Sequence, residues 1–271
     1  MKQSIPLTCL AYIADNFATA LGLVREEPVC PPDADYASKV ASLYSTRGPI
    51  TGRVAEIGPG GSDAVARELL ERGATSVDLV DRFGDPKPSP VSGIRWLTGP
   101  EAAAERFFAA HPGYDAIVSC AVLEHLSDPL SALGDMARAL KPGGVMVHQV
   151  DLRDHGMFLG HELTFLKVPG WIWRLMTAQR GRPNRILIDS YRRTLRDSGL
   201  AVTLYATDLV GTGEISPTPV EEIPAELIDP VIADVRRQRG SFAKPFRDMK
   251  GADLAVSGLL IVATKSGAAA N

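Results

Sequence analysis

Apolar and polar positions follow a strand-then-helix order through most of the chain, after an N-terminal helical region. An apolar run at 54–57 ends in a glycine-rich turn, Gly58 to Gly61. A helical pattern follows, with apolar residues on one side and charged residues on the other. A second apolar run at 77–80 ends in Asp81. This order predicts the first unit of a doubly wound α/β sheet, in which the turn lets a ligand approach the backbone and the acid accepts hydrogen bonds from a ribose.

Five further apolar runs complete a predicted sheet of seven strands, at 94–97, 114–120, 145–150, 200–207 and 254–264. Helical patterns over 100–110 and from Pro129 onward separate some of these runs, and Ser127 or Asp128 can cap the second of those helices. Residues 83–93 contain too much Gly, Pro and Ser for a regular element, so a crossover helix there is short or missing. Short connections between the strands favour a mostly parallel sheet.

The remaining segments predict additions to one large domain. Two N-terminal helices, at 4–24 and 36–44, flank a loop that contains Pro28, Pro31 and Pro32, and they form either a lid over a ligand site or a plain cover for the sheet. Two irregular stretches predict caps on the acceptor side. The predicted organisation begins with an N-terminal helical segment over 1–50. A main domain follows over 51–265 and contains two caps, at 151–185 and 209–252. A frayed tail covers 266–271.

Composition narrows the class of protein. A net charge of −3 gives no reason to expect a nucleic-acid partner. The three cysteines, Cys9, Cys30 and Cys120, are too few for a disulfide framework or a zinc cluster, which favours a reducing, cytoplasmic setting. Asp15 and Asn16 interrupt the apolar stretch in residues 1–24, so neither a signal peptide nor a membrane span is predicted there. The oligomeric state is left open.

The chain resembles the class I S-adenosylmethionine-dependent methyltransferases over roughly residues 50–265, an extent judged from the element order. The motifs that carry the resemblance are Glu56 to Gly61, the acid Asp81, the sequence VLEHLSDP after the fourth strand, and LKPGG before the fifth. The resemblance implies a Rossmann-like fold whose last strand is inserted antiparallel. A narrower likeness, based mainly on Asp151 to His155, is to bacterial enzymes that modify glycans or secondary metabolites.

The resemblance also implies the cofactor, S-adenosylmethionine, and the product S-adenosylhomocysteine. Residues expected to contact it are Glu56, Gly58, Pro59, Gly60, Asp81, Arg82 and Cys120. The family pattern is not complete, because Ser62 stands where a third glycine is common and no acid follows the third strand. Backbone groups around 97–99 are therefore expected to serve the adenine.

Three residues near the predicted acceptor site are candidates for the general base. His125 follows the fourth strand, and a neutral imidazole suits the deprotonation of a hydroxyl. Asp151 and His155 follow the fifth strand and are the other two candidates. A divalent metal held by Asp151, Asp154 and His155 is an alternative way to activate vicinal hydroxyls. His148, inside the fifth strand, is predicted to be a hydrogen-bonded core residue.

These observations together predict an enzyme that methylates a hydroxyl of a small molecule, with a sugar or a glycosylated metabolite as the preferred acceptor. Three alternatives stay open at this point. They are methylation of a nitrogen, an NAD-dependent oxidoreductase, and a cofactor-binding scaffold without catalysis. The NAD-dependent oxidoreductase is disfavoured because Asp63 stands where the dinucleotide-binding pattern has its last glycine.

Overall fold

The computed structural model describes residues 4–21, 23, 34–83, 89–178 and 181–267. The predicted loop around Pro28, Pro31 and Pro32, and Cys30 with it, lies outside these residues. The described chain forms an eight-stranded sheet in the order β3-β2-β1-β4-β5-β8-β6-β7. The strands are β1 (Gly52–Ile57), β2 (Ala74–Asp81), β3 (Ile94–Thr98), β4 (Tyr114–Cys120), β5 (Leu140–Asp151), β6 (Leu200–Leu209), β7 (Gly213–Pro219) and β8 (Val256–Lys265).

The predicted α/β class with its seven strands is confirmed, and β7 is an addition inside the predicted insertion. Strands β1 to β5 pair in parallel. Strand β8 runs antiparallel between β5 and β6, and β7 pairs antiparallel with β6 at the sheet edge. Because β7 has mixed burial and two prolines, its sequence lacks the apolar run that identifies the other strands.

Nine α-helices lie in the described part of the chain: α1 (Ile5–Ala20), α2 (Ala34–Ser45), α3 (Ala64–Glu71), α4 (Ala104–Ala110), α5 (Pro129–Ala139), α6 (Gly170–Thr177), α7 (Ile188–Asp197), α8 (Ala225–Gln238) and α9 (Gly251–Ala255). The helix predicted over 100–110 is divided, because Ala103 has an extended backbone between a 3₁₀ turn and α4. Asp128 caps α5 by accepting a hydrogen bond from the Ser131 N–H at 3.0 Å. No helix in the described chain is both long enough and apolar enough to cross a membrane.

Both faces of the sheet are covered by apolar cores. Alternate side chains of β1 enter different cores, with Val54 on the face of α2 and α3 and Ala55 on the face of α4, α5 and α7. The side chains of Val54 and Ala55 are almost fully buried. Burial of a large aliphatic side chain such as that of Val54 stabilises the fold by about 1.5–3 kcal/mol. The sheet is thereby a rigid support whose strand ends hold fixed positions.

The two predicted cap segments contact each other on one side of the sheet. His161 hydrogen-bonds to Asp234 of α8, and the Lys167 ammonium donates to the Gln238 side chain at 2.9 Å. Helix α1 packs on α6, where the Asn16 amide donates to the Leu175 carbonyl at 3.0 Å. The caps and the N-terminal helix therefore form one connected layer beside the strand ends.

Candidate functional site

The glycine turn after β1 leaves backbone open to a ligand. Gly58, Gly60 and Gly61 all have φ near +65 to +79°, where a side chain is unfavourable. A Cβ added at Gly58 would lie 2.6 Å from a methyl group of Val122, so the turn and the loop after β4 touch there. A Cβ at Gly60 or Gly61 would meet nothing within 4 Å. The turn is thus anchored at its start and accessible in its middle.

Glu56 lies just before this turn and is almost fully buried. Its Oε2 atom has no hydrogen-bond partner among the described residues. Burial, and then the charge of Asp63, raise the pKa of Glu56 to about 8. A buried carboxyl without a partner is unusual in a native fold, and it fits the positively charged amino group of a bound amino-acid moiety.

Asp81 ends β2 as predicted, on the same edge of the sheet as the glycine turn. Its Oδ1 accepts a hydrogen bond from the Phe83 N–H at 2.9 Å, which fixes the carboxylate at the strand end. Arg82 stacks its guanidinium over the exposed Phe83 ring at 4.7 Å. The position of Asp81 fits two ribose hydroxyls, as the sequence order predicts.

Helix α2 covers this part of the site. Tyr36 lies beside Cys120 at the end of β4, and burial, followed by the influence of Cys120 and Glu56, raises the pKa of its phenol. Cys120 also lies 3.4 Å from the Gln149 side-chain oxygen, and burial raises the pKa of its thiol. Cys120 is therefore a thiol rather than a thiolate.

The loop after β4 turns sharply and buries a second acid. Ala121 has a φ of +54°, and a single 3₁₀ turn from Leu123 to His125 follows. Glu124 is 2% exposed; its Oε1 accepts from the Asp151 N–H at 3.1 Å, while its Oε2 has no partner in the described chain. Burial raises the pKa of Glu124 to about 8.

His125, next to this acid, has its tautomer determined by one contact. Its Nδ1 lies against the Gly181 carbonyl oxygen, which can only accept, so Nδ1 carries the proton. The lone pair of a neutral His125 is therefore on Nε2. Burial and the neighbouring His155 lower the pKa of His125, which keeps the ring neutral near pH 7.

His155 follows β5 and faces His125 across the carboxyl edge of the sheet. The two rings meet edge to face with centroids 4.9 Å apart. His155 Nε2 is 3.4 Å from an Asp151 carboxylate oxygen. Asp151 itself forms a bidentate ion pair with Arg153, at 2.8 and 2.9 Å. Although burial raises the pKa of Asp151, the hydrogen bonds from Arg153 bring it below its usual value.

The structure does not assemble the metal-ligand set suggested by the sequence. Asp154 is buried and accepts from the Gly156 and Phe158 N–H groups at 3.0 Å each, so both of its oxygens stabilise the backbone. In the described chain, the cluster that groups potential metal ligands is Glu124, His125 and His155. His148 is, as predicted, a core residue that pairs with the Ser119 hydroxyl at 2.8 Å, and burial lowers its pKa to about 3.

Sequence reasoning missed three residues of this site. Glu124 stands inside the VLEHLSDP motif, and a carboxylate between Leu123 and His125 just past a strand end was the available signal. Asn184 attaches the acceptor-side segment to the same loop by donating to the Leu123 and Leu126 carbonyls at 2.9 and 3.1 Å. Neither Asn184 nor Tyr36 has a local pattern that marks it, because each acts through contacts distant in sequence.

Comparisons with known proteins show which family the chain resembles in sequence. A family model described as a methyltransferase domain matches residues 33–205. A ubiquinone biosynthesis O-methyltransferase of Thiobacillus denitrificans is 34% identical over 109 residues, which cover 36% of this chain and 44% of that protein. The chain thus matches less than half the length of this curated relative.

Some solved structures are also similar to this chain. A phosphoethanolamine N-methyltransferase 2 of Haemonchus contortus, bound to S-adenosylhomocysteine, has a TM-score of 0.50 and 14% identity, covering 94% of this chain and 58% of that one. An S-adenosylmethionine-dependent methyltransferase of Mesorhizobium loti has a TM-score of 0.49 and 16% identity, covering 86% and 100%. At such identities the likeness concerns the fold alone.

Proposed function

The chain belongs to the family of S-adenosylmethionine-dependent methyltransferase domains, and we propose that it transfers the methyl group to a hydroxyl oxygen of a small molecule. The family assignment replaces the NAD-dependent alternative. The observation that carries the choice of oxygen is the tautomer of His125, whose Nε2 lone pair is available at the carboxyl edge of β4. A hydroxyl must lose a proton as it is methylated, and a neutral imidazole can take it.

The donor side of the proposal rests on the residues around the first two strands. Glu56 would pair with the amino group of the methionine moiety, Gly58, Pro59 and Gly60 would line its path, and Asp81 would hold the ribose. Arg82 and Cys120 would border the cofactor. When bound, S-adenosylmethionine supplies an electrophilic methyl group on its sulfonium. The protein contributes alignment and a buried carboxyl that is ready to ionise beside a cation.

The acceptor side rests on the polar groups at the ends of β4 and β5. The acceptor hydroxyl would lie at His125, and its proton would move to Nε2 as the new carbon–oxygen bond forms. His155, oriented by Asp151, would be the second base of the pair. A sugar or glycosylated metabolite is the acceptor class that we propose, because adjacent hydroxyls can hydrogen-bond to neighbouring carboxylates and imidazoles.

Two further observations favour this assignment. The curated relative is named as an O-methyltransferase, which supports oxygen over nitrogen as the target atom. The connected layer formed by the caps and α1 lies beside the acceptor residues and would shape the acceptor pocket, while α2 would act as a lid over the donor.

The test is a product analysis. The protein is incubated with methyl-deuterated S-adenosylmethionine and a pool of glycosylated metabolites, and the products are identified by mass spectrometry with fragmentation. We expect one labelled methyl group on an oxygen. A label on nitrogen would support the N-methyltransferase alternative. Binding of S-adenosylhomocysteine without turnover of any pool would support the non-catalytic scaffold.

A further inference from the structure

We propose that Glu124, His125 and His155 form a binding site for one divalent transition-metal ion of the Zn²⁺ type. One ligand atom from each of the three side chains lies within 4.8 Å of the other two. They come from two adjacent strand ends, since Glu124 and His125 follow β4 and His155 follows β5. The parallel pairing of β4 with β5 therefore holds the three groups together.

The contacts around the cluster leave one nitrogen or oxygen atom available on each residue. His125 uses Nδ1 on the Gly181 carbonyl, so Nε2 is available. His155 directs Nε2 toward the Asp151 carboxylate, so Nδ1 is available in the neutral ring. Glu124 Oε1 accepts a hydrogen bond from the Asp151 N–H, whereas Oε2 has no partner in the described chain. The second nitrogen of His125 is hydrogen-bonded to an oxygen and that of His155 lies 3.4 Å from one, and such outer oxygens orient metal-ligating imidazoles.

The orphaned oxygen of Glu124 is a separate indication of a ligand. This carboxyl is 2% exposed, and Oε2 has no hydrogen-bond partner in the described chain. A buried acceptor without a partner is destabilising. A cation bound to Oε2 would remove this cost and would also neutralise the charge of the ionised acid.

The donor set selects the kind of ion. Two imidazole nitrogens and one carboxylate oxygen suit Zn²⁺ and neighbouring transition metals, whereas Mg²⁺ and Ca²⁺ prefer oxygen ligands. In a tetrahedral site with bonds of about 2.0–2.1 Å, ligand atoms are about 3.3 Å apart. The three atoms must therefore approach one another, and the surface side chain of His155 is the one with room to move. Three protein ligands leave a fourth position for a substrate oxygen or water.

One consequence follows for the proposed function, on which it rests. An ion on His125 occupies the same Nε2 lone pair that would receive the acceptor proton. Metal binding and proton removal by His125 therefore exclude each other, and turnover falls as the site fills with Zn²⁺. The binding site itself does not depend on the identity of the acceptor.

The experiment titrates Zn²⁺ into the chelator-treated full chain by calorimetry, without acceptor, and repeats the titration with Co²⁺ followed by absorption. We expect one Zn²⁺ per chain, and Co²⁺ absorption of the intensity typical of a four-coordinate site. The variants His155→Ala and Glu124→Gln should each weaken Zn²⁺ binding by at least about tenfold. The matched control is His161→Ala, a histidine that also pairs with an aspartate but lies outside the cluster, and it should bind Zn²⁺ normally.

The outcomes separate the two proposals. No Zn²⁺ binding, or binding unchanged in both His155→Ala and Glu124→Gln, overturns the metal site and leaves the proposed function intact. Because His155 is on the surface, circular dichroism should show that His155→Ala folds normally even if Glu124→Gln does not. If Zn²⁺ binds through these residues and turnover rises rather than falls, the site stands and the assignment of His125 as the base is wrong.

Discussion

Buried acids lie toward both edges of the parallel half of the sheet, and their surroundings are opposite. Toward the amino edge, Asp78 accepts hydrogen bonds from two arginines and a tyrosine, all between 2.8 and 3.0 Å. At the carboxyl edge, Glu56 and Glu124 each have one oxygen without a partner in the described chain. The pKa of Asp78 is below its usual value because these hydrogen bonds outweigh burial, whereas burial raises the pKa of both glutamates.

From this difference we infer separate roles for the acids at the two edges. A buried carboxylate that the protein itself satisfies contributes to stability, since it is removed from water only with its partners in place. A buried carboxyl left unsatisfied costs stability, and such groups are typical of sites where a ligand completes the hydrogen bonds. The amino edge is therefore expected to determine stability and the carboxyl edge to determine binding and catalysis. Substitutions at the two edges test that division.

The largest effect is expected from His125→Ala at the carboxyl edge. Loss of the general base should lower kcat by about 10²–10⁴-fold, because proton transfer by a positioned base contributes that much. The affinity for S-adenosylhomocysteine should change little, since His125 lies on the acceptor side. Steady-state kinetics with the methyl-accepting metabolite and a separate binding titration measure the two quantities. His111→Ala, at the end of α4 and away from the strand ends that carry His125, serves as the control, and an equal loss of kcat there would contradict the assignment.

The opposite edge should respond in stability. Asp78→Asn removes the charge that Arg53 and Arg95 share, and we expect the free energy of unfolding to fall by about 1–2 kcal/mol, because both arginines are partly exposed and solvent screens the interaction. Glu56→Gln should be neutral or stabilising, since no protein partner is lost. Urea unfolding at pH 7 measures both. A stability loss as large in Glu56→Gln as in Asp78→Asn would remove the distinction between the edges.

This comparison also shows what the sequence predicts and what it leaves undetermined. The sheet follows from apolar runs and turns, because a period of two and a following helix are local signals. Glu56 and Asp81 are found in the same way, since a strand followed by a turn places them on the carboxyl edge. The seven predicted strands are all present, whereas β7 has no apolar run and was missed.

The acceptor side is less predictable because long-range contacts build it. Asp151, Asp154 and His155 are close together in sequence. In the fold, however, Asp154 accepts hydrogen bonds from backbone N–H groups, and the acid that lies with His155 is Glu124. The direction in which Asp151 and Asp154 point depends on the geometry of their loop, including the positive φ of His155. Sequence spacing does not specify such geometry.

The third prediction concerns the pH dependence that Glu56 confers. In the ligand-free fold its pKa is about 8, compared with 4.5 when unperturbed. As the pH rises, the unfolded chain therefore loses the Glu56 proton before the folded chain does. The stability that the protonated Glu56 side chain contributes is fully present below pH 4.5 and is lost as the pH rises toward 8. Over that interval wild-type stability should fall, relative to Glu56→Gln, by up to about 1.4 kcal/mol per pH unit. Urea unfolding at several pH values measures the difference.

The same group links cofactor binding to proton release. If the cation of the cofactor pairs with Glu56, binding of S-adenosylhomocysteine at pH 7 should release a proton, as calorimetry in buffers of different ionisation enthalpy can measure. Glu56→Gln should abolish the release. Asp81→Asn is the control, because it should weaken binding and leave the proton count unchanged. Release that persists in Glu56→Gln would place the linked proton elsewhere.

The smallest effect is expected from Tyr36→Phe, which tests whether α2 belongs to the carboxyl edge as a lid. The change removes only the phenol hydroxyl, which lies beside Cys120, and a neutral hydrogen bond contributes about 0.5–1.5 kcal/mol. S-adenosylhomocysteine should therefore bind about two- to tenfold more weakly, while kcat at saturation stays the same. Tyr12→Phe, in α1 where the ring packs under Arg182, should not alter this affinity, because α1 lies over the acceptor layer. Equal weakening in both variants would mean that the N-terminal helices act together as a cover, and that α2 has no specific part in holding the donor.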